Sequence, residues 1–157
     1  ATYLLKSMAG INILIVPYKG STQAIPALLS GEVQFEIYQS GLLAPHVKSG
    51  KLRALAVTST TPSALAPGLP TMAESGLPGY EAVSTMGMWA PAKTPVAIIN
   101  RLNQEVVRFL KTAEAKERLF NTGVEPVGSS PEQLATVMKS EIARLGKLIK
   151  DVGIRSE

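Results

Sequence analysis

The chain has 157 residues, 45% hydrophobic and 18% charged, a balance that buries a core and argues against disorder. Its 16 Lys and Arg against 12 Asp and Glu give a formal net charge of +4, but the cations are scattered and build no nucleic-acid arm. With no Cys and a single His, disulfide frameworks, thiol nucleophiles and thiolate metal sites are excluded, and neither a metal nor another cofactor is expected.

The first eight residues place Tyr3, Leu4, Leu5 and Met8 on one helical face, with Gly10 as the stop. The reading is a helix entered partway along, with any export signal upstream, because the start lacks the basic segment and long apolar run of a signal peptide. Residues 11–17 form a β-branched run bounded by Gly10 and Gly20, the pattern of a strand buried on both faces. Residues 21–30 follow as a helix, with Ala24, Ile25, Leu28 and Leu29 at helical spacing and Gly31 as its end. Pro26 in its second turn predicts a kink or a late start. A strand at 33–38, a helix at 41–48 closed by Gly50 and a strand at 52–58 continue the alternation, which implies right-handed crossovers and a parallel sheet covered by helices.

From 60 to 80 the chain is rich in Pro, Ser and Gly, and only 71–75 suggests a helical turn. Residues 82–90 read as extended, and a connection this long marks a functional loop or a passage between lobes. Thr94 is the expected N-cap of the next helix, with Pro95 at its first position and Ile98, Leu102, Val106, Phe109 and Leu110 as its apolar stripe. A helix at 114–120, a short strand at 124–127 and a long helix opened by a capping box at Ser130 and Gln133 complete the chain. That last helix carries Leu134, Met138, Ile142, Leu145, Ile149 and Val152 on one face. The result is a helical shell around one short strand, which invites docking on strands from elsewhere or self-association.

The inventory of reactive groups points away from an enzyme. Acid–base and nucleophilic chemistry needs titratable groups gathered together, whereas this chain offers His46 alone, Asp151 at a helix end, and Glu32, Glu36, Glu74 and Glu81 on separate loops and strands. His46 reads as an ordinary histidine, the four glutamates as solvated surface and Trp89 as core packing, with a cleft lining as its alternative. One segment fits anion binding: the strand ending at Pro17, then Tyr18, Lys19, Gly20, Ser21 and Thr22, then a helix. A helix start exposes unpaired N–H groups and partial positive charge, and the Ser21 and Thr22 hydroxyls either meet the anion or cap the helix. Tyr38, Gln39 and Ser40, together with Thr58 and Ser59, fall at the same carboxyl rim of the expected sheet.

The segments Val16-Pro17-Tyr18-Lys19-Gly20-Ser21, Leu28-Leu29-Ser30-Gly31-Glu32-Val33, Pro45-His46-Val47-Lys48-Ser49-Gly50-Lys51-Leu52-Arg53-Ala54-Leu55-Ala56-Val57-Thr58, Pro70-Thr71-Met72-Ala73-Glu74-Ser75-Gly76-Leu77-Pro78-Gly79-Tyr80 and Gly123-Val124-Glu125-Pro126-Val127-Gly128 run in order through nearly the whole chain. On them the chain resembles the Bug-type extracytoplasmic solute receptors of tripartite tricarboxylate transporters. The resemblance implies an α/β fold of the type II periplasmic-binding-protein (Venus flytrap) kind, with a parallel-rich sheet, that closes on a small mono- or dicarboxylate and catalyses nothing. It implies a periplasmic location and membrane transporter subunits or a sensor kinase as partners. By carry-over, Tyr18, Gly20, Ser21 and Thr22 form the anion loop, with Gln39 and Ser40 on the neighbouring rim. Residues 1–82 would be most of lobe two, 83–91 the crossover and 92–157 the carboxy-terminal part of lobe one. Such receptors are about twice this length, so part of the ligand site would lie outside the chain. Two other readings stand beside this one: a ligand-sensing module of a regulator, and a small enzyme acting on an anionic substrate through Lys19 or His46.

Overall fold

The computed structural model describes residues 1–153, and they fall into two compact units, Ala1–Val83 and a second that begins at Ser84. The first unit holds helices α1 (Thr2–Ala9), α2 (Ser21–Ser30) and α3 (Ser40–Lys48). The second holds α4 (Val96–Leu110), α5 (Ala113–Asn121) and α6 (Pro131–Asp151).

The helix ends follow from local chemistry. Gly10 and Gly31 take left-handed φ of 63° and 80° at the ends of α1 and α2, where a side chain would meet its own backbone. α2 starts at Ser21 and runs unbroken past Pro26, so the late start expected from that proline does not occur; Pro26 removes one N–H and no more of the helix. The carbonyl of His46 in α3 accepts from the N–H groups of Lys51 and Leu52, which turns the chain at Gly50. α4 begins one residue later than expected. Pro95, with ψ of 140°, is its N-cap, and its carbonyl accepts from Ile98 and Ile99, while Thr94 spends its N–H on a turn to the Pro91 carbonyl. Thr112 caps α5 through its hydroxyl, and Ser130 and Gln133 form the expected capping box of α6 with Pro131 behind it.

The segments expected as strands lie between the helices and form no sheet ladder among the described residues; the one bridge is parallel, Val57 with Thr71. A β-branched run records a tendency to be buried, but a ladder needs a second backbone about 4.8 Å away in register, and the runs gain only isolated bonds such as Ala82 to the Thr58 carbonyl. Leu14, in the middle of the first run, is accordingly 90% exposed. The Lys6 ammonium donates to the Ile13 carbonyl at 2.8 Å, which occupies one acceptor on that open edge.

The centre of the first unit is the Pro- and Gly-rich stretch. Thr71 and Tyr80 are each only 1% exposed. The Thr71 N–H and hydroxyl both donate to one Glu74 carboxylate oxygen (2.8 and 3.0 Å), and the Glu74 N–H returns a bond to the Thr71 hydroxyl at 3.1 Å. Met72 donates to the Val57 carbonyl, Ala82 to that of Thr58, and the Tyr80 phenol to that of Ala1. Residues expected to be irregular thus tie together three distant parts of the unit. Glu74, expected as free surface, is held here, and the Thr71 donors keep its carboxyl below the ordinary range.

In the second unit Ala115 is buried in α5, and Gly128 packs on Val107 and Leu110 of α4 while the Asn103 amide donates to the Ser129 carbonyl. Trp89 does not pack in a core. It is 68% exposed, and its ring and the Leu134 side chain crowd the same side of Gly87. The stripes of α4 and α6 keep Ile98, Leu102, Phe109, Ile142, Leu145 and Ile149 exposed, so these helices carry apolar faces that the described residues leave uncovered. Their charges pair along the helix, as in Arg101 with Glu105 and Arg144 with Glu141.

Replacing Thr71 by Val keeps its shape and removes the hydroxyl, and should cost about 0.5–2 kcal/mol in urea unfolding. Glu74→Gln should flatten the acid limb of stability. The depressed carboxyl contributes above its ordinary pKa, and that contribution fades as pH falls through the depressed value. An unchanged acid limb would show that the Thr71–Glu74 bracket carries no weight.

Candidate functional site

The loop between residue 17 and α2 is shaped by Gly20. Its φ of 129° with ψ of 178° is a conformation that side chains oppose, although a Cβ there would meet no atom within 4 Å. From this position the Gly20 carbonyl accepts from Gln23 and Ala24, each at 3.2 Å, and starts the helix. No side chain caps α2. The N–H groups of Gly20, Ser21 and Thr22 have no partner among the described residues, and the Ser21 and Thr22 hydroxyls make no bond back to the helix. Capping was the alternative role for these hydroxyls, and the geometry does not use them for it. Buried Ala24 and Ala27 fix the opposite face of α2 to the unit, which leaves its start presented outward.

Two side chains frame this start. The Gln23 carboxamide oxygen accepts from the Lys19 N–H at 3.4 Å, and the Tyr18 hydroxyl donates to Glu32 at 3.0 Å. Loss of solvent around the ring, then the bond to Glu32 and its charge, hold the Tyr18 phenol above its ordinary value. Glu32 sits just after Gly31, so the bond joins the residues flanking α2. Neither Gln23 nor Glu32 was identified from sequence. The only signal was that a ten-residue helix lies between two polar residues able to reach along it.

The other predicted residues lie at the start of α3. Gln39 is its N-cap, with extended backbone and no side-chain cap, and the N–H groups of Ser40 and Gly41 have no partner among the described residues. No hydrogen bond joins Gln39 or Ser40 to the loop at 18–22. The third polar stretch is spent internally, because the Thr58 carbonyl accepts from Ala82 and the Ser59 hydroxyl donates to the Thr61 carbonyl at 2.7 Å. Glu36, expected as solvated surface, is half-buried; one of its carboxylate oxygens is out of reach of water with no hydrogen-bond partner, and burial raises its pKa.

Catalytic or metal chemistry finds no comparable grouping. No cluster of three His, Cys, Asp or Glu able to hold a metal occurs among the described residues. A shallow depression of about 750 Å³ on the second unit lies between Val127 and Val137, but its polar side chains are spent locally: Glu132 and Gln133 bond to Ser130, and the Thr136 hydroxyl donates to the Glu132 carbonyl. No described helix is long and apolar enough to cross a membrane.

Comparison with known proteins bears on this arrangement. The family model described as the tripartite tricarboxylate transporter family receptor matches residues 2–154. A Pseudomonas sp. (strain P51) protein from the tcbD–tcbE intergenic region is 37% identical over 150 residues, covering 95% of this chain and 45% of that one. A Pseudomonas knackmussii protein from the clcB–clcD intergenic region is 35% identical, with 95% and 89% covered. Among solved structures, R. palustris Rpa4515 with adipate superposes with a TM-score of 0.83 at 38% identity, over 98% of this chain and 51% of that one. The periplasmic binding protein BugD gives 0.79 at 32% identity (99% and 53%). MatC from Rhodopseudomonas palustris with bound malate gives 0.69 at 29% (94% and 51%). The fold is therefore of the periplasmic-binding-protein kind expected from sequence, and the chain spans about half the length of most of these relatives.

The φ of Gly20 makes a prediction. Gly20→Ala should cost about 1–3 kcal/mol in urea unfolding, because space is open and only the backbone resists. Ser21→Ala and Thr22→Val should each stay within about 0.5 kcal/mol of the parent. A loss there as large as that of a removed cap would show that these hydroxyls hold the helix.

Proposed function

The chain belongs to the receptor family of tripartite tricarboxylate transporters, and from that premise we propose that it is an extracytoplasmic solute receptor that captures a small mono- or dicarboxylate without chemical change. The observation that carries this reading is the run of unpartnered N–H groups at Gly20, Ser21 and Thr22 on an uncapped helix start. A carboxylate there accepts from main-chain donors and meets the positive end of the α2 dipole, so it needs no buried cation. Ser21 and Thr22 add hydroxyl donors, Tyr18 frames the loop, and Gln39 and Ser40 supply a second uncapped helix start.

In the same reading the first unit is most of lobe two, residues 83–91 are the crossover, and the remainder contributes helices to lobe one. The whole receptor works in the periplasm, closes by a hinge, and reports occupancy to membrane subunits of a transporter or to a sensor kinase. The bare apolar faces of α4 and α6 support association with further receptor surface, a second copy included. Adipate and malate in the related structures support a linear or hydroxylated aliphatic acid as the ligand class. The regulator and enzyme alternatives have no observation of their own in their favour.

Titration of the chain with adipate and with malate, followed by the amide resonances of residues 20–22, tests the reading. Saturable shifts of those amides are expected, and Gly20→Ala should weaken binding at least about tenfold, the worth of one to two charge-assisted hydrogen bonds. Silent amides, or equal binding by Gly20→Ala, would sink it.

A further inference from the structure

We propose that Glu32 is a positioning residue for the anion loop: it holds the Tyr18 phenol as a strut along α2, so that Tyr18 shapes the loop and does not itself bind the ligand. The inference rests on the carboxylate-receptor reading given above. Tyr18 stands three residues before α2 and Glu32 two residues after it, and ten helical residues span about 15 Å at 1.5 Å each. A bond of 3.0 Å between their side chains requires both to reach toward each other along the helix flank. The phenol therefore points toward the carboxyl end of α2, away from the amides at its start.

A phenol has one proton to donate, and Glu32 accepts it. A ligand carboxylate could take that proton only by displacing Glu32, whose own charge opposes a second carboxylate at the same place. The loop amides carry no such conflict, since the Gly20, Ser21 and Thr22 N–H groups have no partner among the described residues. The strut also explains how a glycine in an unfavoured conformation stays aimed: the backbone of 18–20 is tied at Tyr18 on one side and enters α2 on the other.

The experiment compares the parent with Tyr18→Phe, Glu32→Ala, Glu32→Gln and the double variant Tyr18→Phe/Glu32→Ala. Two readouts need no ligand: the amide resonances of residues 20–22 and the pH titration of the Tyr18 phenol. The third is affinity for adipate. Tyr18→Phe and Glu32→Ala should move the same loop amides and weaken adipate binding by similar factors of about three to ten, as for one hydrogen bond. The double variant should be no weaker than either single. Glu32→Ala should bring the phenol down toward an ordinary tyrosine, and Glu32→Gln, which keeps the acceptor, should restore the loop amides and most of the affinity. If Tyr18→Phe lost affinity while Glu32→Ala kept it, the tyrosine would touch the ligand and the strut would be refuted. Loop amides unmoved by either substitution would refute it as well. If the parent bound neither adipate nor malate, the receptor reading would fail, and the amide and phenol measurements would still decide the strut.

Discussion

A helix start that no side chain caps leaves main-chain donors for solvent or an anion to satisfy, and the receptor reading depends on α2 keeping that condition. Side chains cap α5 (Thr112) and α6 (Ser130 with Gln133), while α1, α2, α3 and α4 start without one. At α2 the N-cap is Gly20, which has no side chain to turn back on the helix, and the hydroxyls that follow it remain unused. The contrast separates two uses of one piece of backbone chemistry. A capped start closes its donors, and an uncapped one offers them.

The first unit is tied together by the segment that looks least structured. Thr71 and Tyr80 are the most deeply buried side chains of the first unit, and their bonds reach Val57, Thr58 and Ala1 by way of neighbouring residues. Prolines and glycines in this stretch prevent regular structure, which leaves its polar groups available to bridge between elements. Buried Ala24 and Ala27 then suffice to seat α2.

The helices were legible because their signals are local. Glycine stops, a capping box and apolar periodicity locate α1, α2, α3 and α6 to within a residue or so of where they lie. Thr94 misled because Thr and Pro in sequence satisfy the capping pattern in two registers, and the extended ψ of Pro95 selects the later one. Sheet formation was not legible in this way, since runs such as 33–38 and 52–58 record burial preference and say nothing of which backbone will lie alongside. The loop before α2 was marked by a β-branched run, a glycine and a helix in succession. Glu32 could not, because its partner is fourteen residues away and only the folded length of α2 brings the two together. Trp89 failed for a third reason: an aromatic residue carries a preference for cover, and the described residues leave this one 68% exposed.

The bond from Lys6 to the Ile13 carbonyl has a consequence beyond local order. Residues 11–16 are Ile, Asn, Ile, Leu, Ile and Val, six residues with no charge, proline or glycine, and they lie largely open. That composition suits stacking of identical segments into cross-β fibrils, for which a bare edge is the template. A lysine bound to such an edge places a cation where a second copy would have to dock, and like charges would then face each other along the growing stack.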